Sequence, residues 1–182
     1  MRRNAQRLRL NRGPARGRLR SPAGGETQVE NYPEAKRSAF PEIQTIPTRW
    51  NDNDIYGHMN NVVYAEYFDT AVNRWLIGSG ALDVPGGPIV GLVAETRCKF
   101  LSSVGFPDIL ETGLSALHVG NSSVIYGLGL FHAGAETPAA LCRYVHVYVD
   151  AAGRRPTPIP ESLRRALTAL DPGFAPRTPA RG

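Results

Sequence analysis

At 182 residues and 42% hydrophobic content, the chain can bury one sizeable core and is too short for two ordinary domains. It is 20% charged and has no apolar run of the roughly 18–20 residues a membrane span needs, which excludes an integral membrane helix. The net charge of +5 is gathered at one end: residues 1–38 hold ten Lys+Arg against three Asp+Glu, leaving 11 basic against 13 acidic residues in the rest. The body of the chain therefore offers no basic patch of the kind nucleic acids select.

The first segment, residues 1–38, sets Arg2, Arg3, Arg7, Arg9, Arg12, Arg16, Arg18 and Arg20 among Gly, Pro and Asn. With almost nothing to pack, it is expected to be disordered. It reads as a solvated tail or as the product of an early start codon. A nucleic-acid or membrane-surface arm and an organellar transit peptide are the competing readings, although Ser is scarce and no apolar face is present. Residues 171–182, rich in Pro and Ala, are expected to be a second disordered tail, which leaves residues 39–170 as the folded domain.

Ile43 to Arg49 alternates enough for a short first strand, and Pro47 suits a sheet edge. A loop dense in Asp, Asn and Gly follows from Asn51 to Asn61. From Val62 to Leu76 the residues Tyr64, Phe68, Ala71 and Trp75 step at helical spacing, flanked by Val63, Tyr67 and Leu76. The polar face is narrow (Glu66, Asp69, Thr70, Asn73), so protein must cover most of the circumference. Asn60 or Asn61 is the N-cap, and Gly78 with Gly80 supplies the stop.

Strand-like segments then run from Ile89 to Leu101, Asp108 to His118, Ser122 to His132 and Pro138 to Asp150, joined by hairpin turns such as Val119-Gly120-Asn121. The third sets Ser122, Val124, Tyr126, Leu128 and Leu130 on one face and smaller residues on the other. Glu161 to Leu170 reads as a short closing helix. One nearly buried helix with about five long strands predicts an α+β fold in which a mostly antiparallel sheet curls around the helix. The open edge and face of such a layer predict a homodimer or a dimer of dimers.

Cys98 and Cys142 are too few for a disulfide scaffold and are expected to be reduced thiols of a cytoplasmic protein. His118, His132 and His146 read as structural, and no ligand set predicts a metal.

The chemistry concentrates in Arg49-Trp50-Asn51-Asp52-Asn53-Asp54-Ile55-Tyr56-Gly57-His58-Met59-Asn60-Asn61. This stretch sets two carboxylates, a histidine and two amides immediately before the N-terminus of a buried helix. Unpaired N–H groups and partial positive charge at a helix start suit a developing oxyanion. A nearby carboxylate can attack a carbonyl or deprotonate a water that does so. The combination fits acyl transfer to water. Asp52 reads as a structural partner within the loop, Asp54 as the catalytic group.

The pattern Asp-x-Asp-x-x-Gly-His-x-Asn-Asn-x-x-Tyr, from Asp52 through Tyr64, resembles the hotdog-fold thioesterases of the 4-hydroxybenzoyl-CoA and acyl-ACP thioesterase branch. The resemblance implies a long antiparallel sheet around one central helix and a homodimeric acyl-CoA thioesterase that needs no cofactor. On it, Asp54 is nucleophile or general base, while Gly57 and His58 lie where a backbone N–H polarises the thioester carbonyl. His58 orients Asp54 or acts as acid-base, and Asn60 and Asn61 contact substrate or water besides capping the helix. The acyl-ACP branch keeps an Asp-x-Asn-x-His set whose middle position here is Tyr56, which argues against that three-residue mechanism. Tyr64 reads first as core. Glu95, Ser122 and Ser123 match segments that border the pantetheine arm in the family, and Arg97, Lys99, Arg143, Arg154 and Arg155 are candidates for CoA phosphates. The alternatives are an acyl-ACP thioesterase, a hotdog dehydratase and a non-catalytic acyl-thioester-binding protein.

Overall fold

The computed structural model of the chain describes residues 36–170. The segment 1–35 and the tail 171–182, both expected to be disordered, lie outside the described residues. Strands β1 (Glu42–Pro47), β2 (Ile89–Phe100), β3 (Ile109–Val119), β4 (Ser123–His132) and β5 (Ala140–Asp150) form one sheet in the order β1-β3-β4-β5-β2. Every pairing in it is antiparallel. Pro47 closes the edge strand β1, where a missing N–H costs the ladder least. The other edge is the 12-residue β2, which carries a register shift between Val93 and Glu95.

Helix α1 spans Asn61–Gly78, starting one residue earlier and ending two later than the periodicity predicts. It buries Val63, Tyr64, Tyr67, Phe68, Ala71, Val72 and Leu76. These share one core with Leu110 and Leu114 of β3, Tyr126, Leu128 and Leu130 of β4, and Tyr144 and Tyr148 of β5. The predicted α+β arrangement is the one observed. Coverage of the helix is less complete than its sequence demands, because Val62 and Ile77 remain exposed. Helix α2 (Glu161–Leu170) closes the core with Leu163, Leu167 and Leu170. It is tied down by Arg164 Nη2 donating to the Gly120 carbonyl at 3.0 Å and Ser162 Oγ to that of Ala81 at 3.1 Å.

The opposite face of the sheet has a smaller cluster. After a single 3₁₀ turn at Arg37–Ala39, the Phe40 ring lies over Gly113 and Gly129 and meets Phe131 edge-on at 5.6 Å, with Leu141 beside it. A Cβ at Gly113 would fall 2.6 Å from the Phe40 ring, so the missing side chain is what admits the aromatic. The same packing explains Gly129 on that face of β4, while a Cβ at Gly127 would meet Ser115 and Leu117. The expectation holds for Gly127 and Gly129, whereas Ile125 and Phe131 are large.

A polar seam crosses the core beneath α1. Tyr126 and Tyr148 share a hydroxyl hydrogen bond at 2.9 Å, and Tyr144 donates to Asp69 Oδ1 at 2.5 Å. His146 sits among these three tyrosine rings, with Nδ1 buried and unpartnered. Burial pushes its pKa down to about 4 against a small opposing pull from Asp69.

Candidate active site

The loop that precedes α1 is built on Asp52. This carboxylate is 1% exposed and accepts the Arg49 backbone N–H at 2.6 Å, Arg49 Nε at 2.9 Å and the Tyr67 hydroxyl from the second turn of α1. Burial pushes its pKa up, but the bonds from Tyr67 and Arg49 outweigh that and hold it below the ordinary carboxylate value. Its backbone carbonyl accepts Asn60 N–H at 2.8 Å, which returns the chain to the helix start. Arg49 continues to Glu66 at 2.8 Å. Asp52 is thus the structural partner that the sequence predicts.

Between Asn53 and Met59, themselves bridged, the chain makes one tight excursion. Asp54 N–H donates to the His58 carbonyl at 2.9 Å, and Gly57 N–H to the Asp54 carbonyl at 3.2 Å. Gly57 has φ +84°, a conformation glycine adopts without the penalty a Cβ would bring. Asp54 Oδ1 accepts Tyr56 N–H at 2.8 Å, an Asx turn that fixes the carboxylate. Its Oδ2 stands 3.5 Å from His58 Nδ1. The His58 ring stacks on Tyr56 at 6.3 Å. Asn60 is the N-cap, its side-chain oxygen accepting Val62 N–H at 3.2 Å.

Asp54, Tyr56, Gly57, Asn60 and Asn61 line one open cleft of about 850 Å³, joined by Trp50, Asn53 and Ile55. Asp54 and the first residue of α1 therefore border the same space, beside the positive end of the helix, where Asn60 takes the Val62 and Val63 N–H groups. His58 is not part of the cleft wall; its Nδ1 lies between Asp54 Oδ2 and the Met59 carbonyl, which it meets at 3.3 Å. The Gly57 N–H is engaged in the turn, so the donor at this position serves the loop.

The remaining predicted site residues lie elsewhere in the protomer. Tyr64 is buried, edge-on to Phe100 at 4.9 Å. Glu95 is held by Arg143 at 2.6 Å, with Arg97 at 3.8 Å. Ser122 and Ser123 sit at the β3–β4 turn, their carbonyls accepting Tyr148 N–H and Gly120 N–H. Sequence reasoning missed Trp50, Asn53 and Ile55. Their signal was only adjacency to Asp54, because exposed apolar side chains carry no periodicity. Asn53 also props the loop, its Oδ1 accepting Phe106 N–H at 3.0 Å. Among the described residues no three His, Cys, Asp or Glu side chains gather as a metal site, and no helix is long and apolar enough to cross a membrane.

Comparison with known proteins agrees with this architecture. The PA5185 protein from Pseudomonas aeruginosa strain PAO1 is 48% identical, over 76% of this chain and 96% of that one, with a TM-score of 0.73. A thioesterase from Thermus thermophilus, solved with coenzyme A and Zn, is 27% identical over 75% of this chain and 98% of its own (TM-score 0.62). The 1,4-dihydroxy-2-naphthoyl-CoA thioesterase Slr0204 from Synechocystis shares the fold at 16% identity, over 71% of this chain and 96% of its own (TM-score 0.64). No curated protein matches the chain in sequence. The family model of the thioesterase-like superfamily matches residues 48–167, from the start of the Asp52–Asp54 loop into α2. With a long antiparallel sheet around one helix and that match over more than half its length, this chain belongs to the thioesterase-like superfamily, in its hotdog fold.

Proposed function

We propose that this protein is an acyl-CoA thioesterase in which Asp54 acts as nucleophile or general base and the start of α1 polarises the thioester carbonyl. The observation that carries the reading is the Asp54 carboxylate, pinned by its own turn through Oδ1, in the cleft that Asn60 and Asn61 open. Hydrolysis of a thioester needs no cofactor, because the thiolate leaves without a strong acid. His58, 3.5 Å from Oδ2, orients the carboxylate and exchanges a proton with it as the leaving thiolate or product acid forms. The Thermus relative solved with coenzyme A supports CoA as the carrier, as does the mildly acidic body of the chain.

A second copy of the chain completes the site in this reading. Trp50, Ile55, Tyr56 and Val62 are 78%, 93%, 79% and 66% exposed around the cleft, and β2 ends the sheet as an unpaired edge among the described strands. Covering both removes apolar surface from water and supplies the second wall of a tunnel.

The test is thiol release from a panel of short, aromatic and long acyl-CoAs, beside acyl carrier protein thioesters. Turnover on at least one acyl-CoA is expected; release from none of them overturns the reading. A single turnover in heavy-oxygen water tests the nucleophilic role of Asp54: label in its carboxylate requires a mixed anhydride opened at the Asp54 carbonyl, whereas activation of water by Asp54 labels only the product acid.

A further inference from the structure

Cys98 on β2 and Cys142 on β5 stand directly opposite each other in the antiparallel register. Opposed residues project from the same face, with Cα atoms about 4.5–5.5 Å apart, inside the span a disulfide bridges. Both are free thiols, and the Cys142 thiol donates to the Arg143 carbonyl at 3.5 Å. They differ in access: Cys142 is fully buried, while Cys98 is partly exposed within one protomer, its side chain on a face of β2 and not along the backbone edge that the proposed second copy covers. The neighbouring Cys142 thiol lowers that of Cys98 from its ordinary value although burial opposes it, and the Cys142 thiol is raised first by Cys98 and then by burial.

We propose that Cys98 and Cys142 form a dithiol site that small-molecule disulfides oxidise reversibly to a disulfide across β2 and β5. The Cys98 thiolate attacks one sulfur of the reagent disulfide, forming a mixed disulfide and expelling one thiolate. The Cys142 thiol then loses its proton to solvent and attacks the Cys98 sulfur, and the second reagent thiolate leaves. The protein dithiol loses two electrons and two protons, and the reagent disulfide becomes two thiols. Once the mixed disulfide forms, the part of the Cys142 shift that comes from Cys98 is gone, and burial alone still raises the thiol. The chain has 2 cysteines in all, so no third thiol competes within it.

The experiment incubates the reduced, folded full-length protein with oxidised glutathione. The expected result is loss of both titratable thiols, a mass lower by two hydrogens, a peptide pair linking Cys98 to Cys142, and full reversal by dithiothreitol. Cys98→Ser should keep its buried thiol and take up no glutathione, and Cys142→Ser should stop at a glutathione adduct on Cys98. If Cys142→Ser fails to fold, the wild-type mass and the Cys98→Ser result decide alone. Wild-type protein that keeps both thiols, that ends as a stable glutathione adduct, or that links two chains instead overturns the proposal.

Discussion

Asp52 and Asp54 sit two positions apart in one loop, in opposite surroundings. Asp52 is 1% exposed and takes hydrogen bonds from Arg49 and from Tyr67 on α1, so its charge is consumed in joining loop to helix. Asp54 has its side chain 20% exposed, one oxygen fixed by Tyr56 N–H, and the other facing His58 at the cleft. Asp52 has both oxygens engaged by the scaffold away from solvent, whereas Asp54 keeps solvent access and holds its second oxygen against a titratable ring. In the proposed reading the pair separates stability from chemistry within a single turn of chain.

The sharpest way to break that contrast is Asp54→Asn. Turnover on the best acyl-CoA should fall by about two to four orders of magnitude, the usual scale for losing an acid-base group, with the melting temperature unchanged. A variant that unfolds while each folded molecule keeps its rate would reverse the assignment. Asp52→Asn should do the opposite, losing about 3 kcal/mol in denaturant titration through its charge-assisted bonds while turnover per folded molecule stays within a few-fold of wild type.

Acid unfolding sharpens the contrast further. His146, with its folded pKa near 4 and an unfolded value near 6.5, binds fewer protons folded than unfolded between those values, so stability rises with pH across that window. Lowering the pH from about 6.5 to 4 should therefore remove about 2–3 kcal/mol, and His146→Leu should flatten that slope in melting curves. The groups facing His146 are Tyr126, Tyr144, Tyr148 and Asp69. Asp52 acts lower down: its folded pKa is depressed, so its contribution is complete above the unfolded value of about 4 and disappears as pH falls through the folded one. The smallest effect belongs to Asn60→Ala, which should lose about 1 kcal/mol of cap energy, measured by thermal melts. A loss of turnover far beyond that would mean the Asn60 amide touches substrate as well.

Local signals made the frame legible. The α1 period, the Asn60 cap and the hairpin turns act within a few residues, so their spacing shows in the chain. Asp54, Tyr56, Gly57, Asn60 and Asn61 could be grouped for the same reason, being nearly contiguous. What escaped is set by register and packing. Phe40 lies on Gly113 and Gly129 from strands far along the chain. His132 Nδ1 approaches Asp108 at 3.7 Å although its own strand offers no carboxylate neighbour. Gly91 leaves room for the His146 ring, since a Cβ there would fall 2.9 Å from its Nδ1. Glu95, Ser122 and Ser123 were grouped with Asp54 by family likeness, and within one protomer they engage other partners.

The backbone of the loop is held by the carboxylate at 52, the amide at 53 and the glycine at 57, none of which depends on the side chains at 50, 55 and 56. Those three bulky groups form much of the cleft's rim: Ile55 stands out into solvent, while Trp50 packs edge-on to Phe106 and Tyr56 stacks on His58. Saturation libraries at position 55 are thus the most direct way to vary what the cleft admits while leaving the loop beneath it as it is.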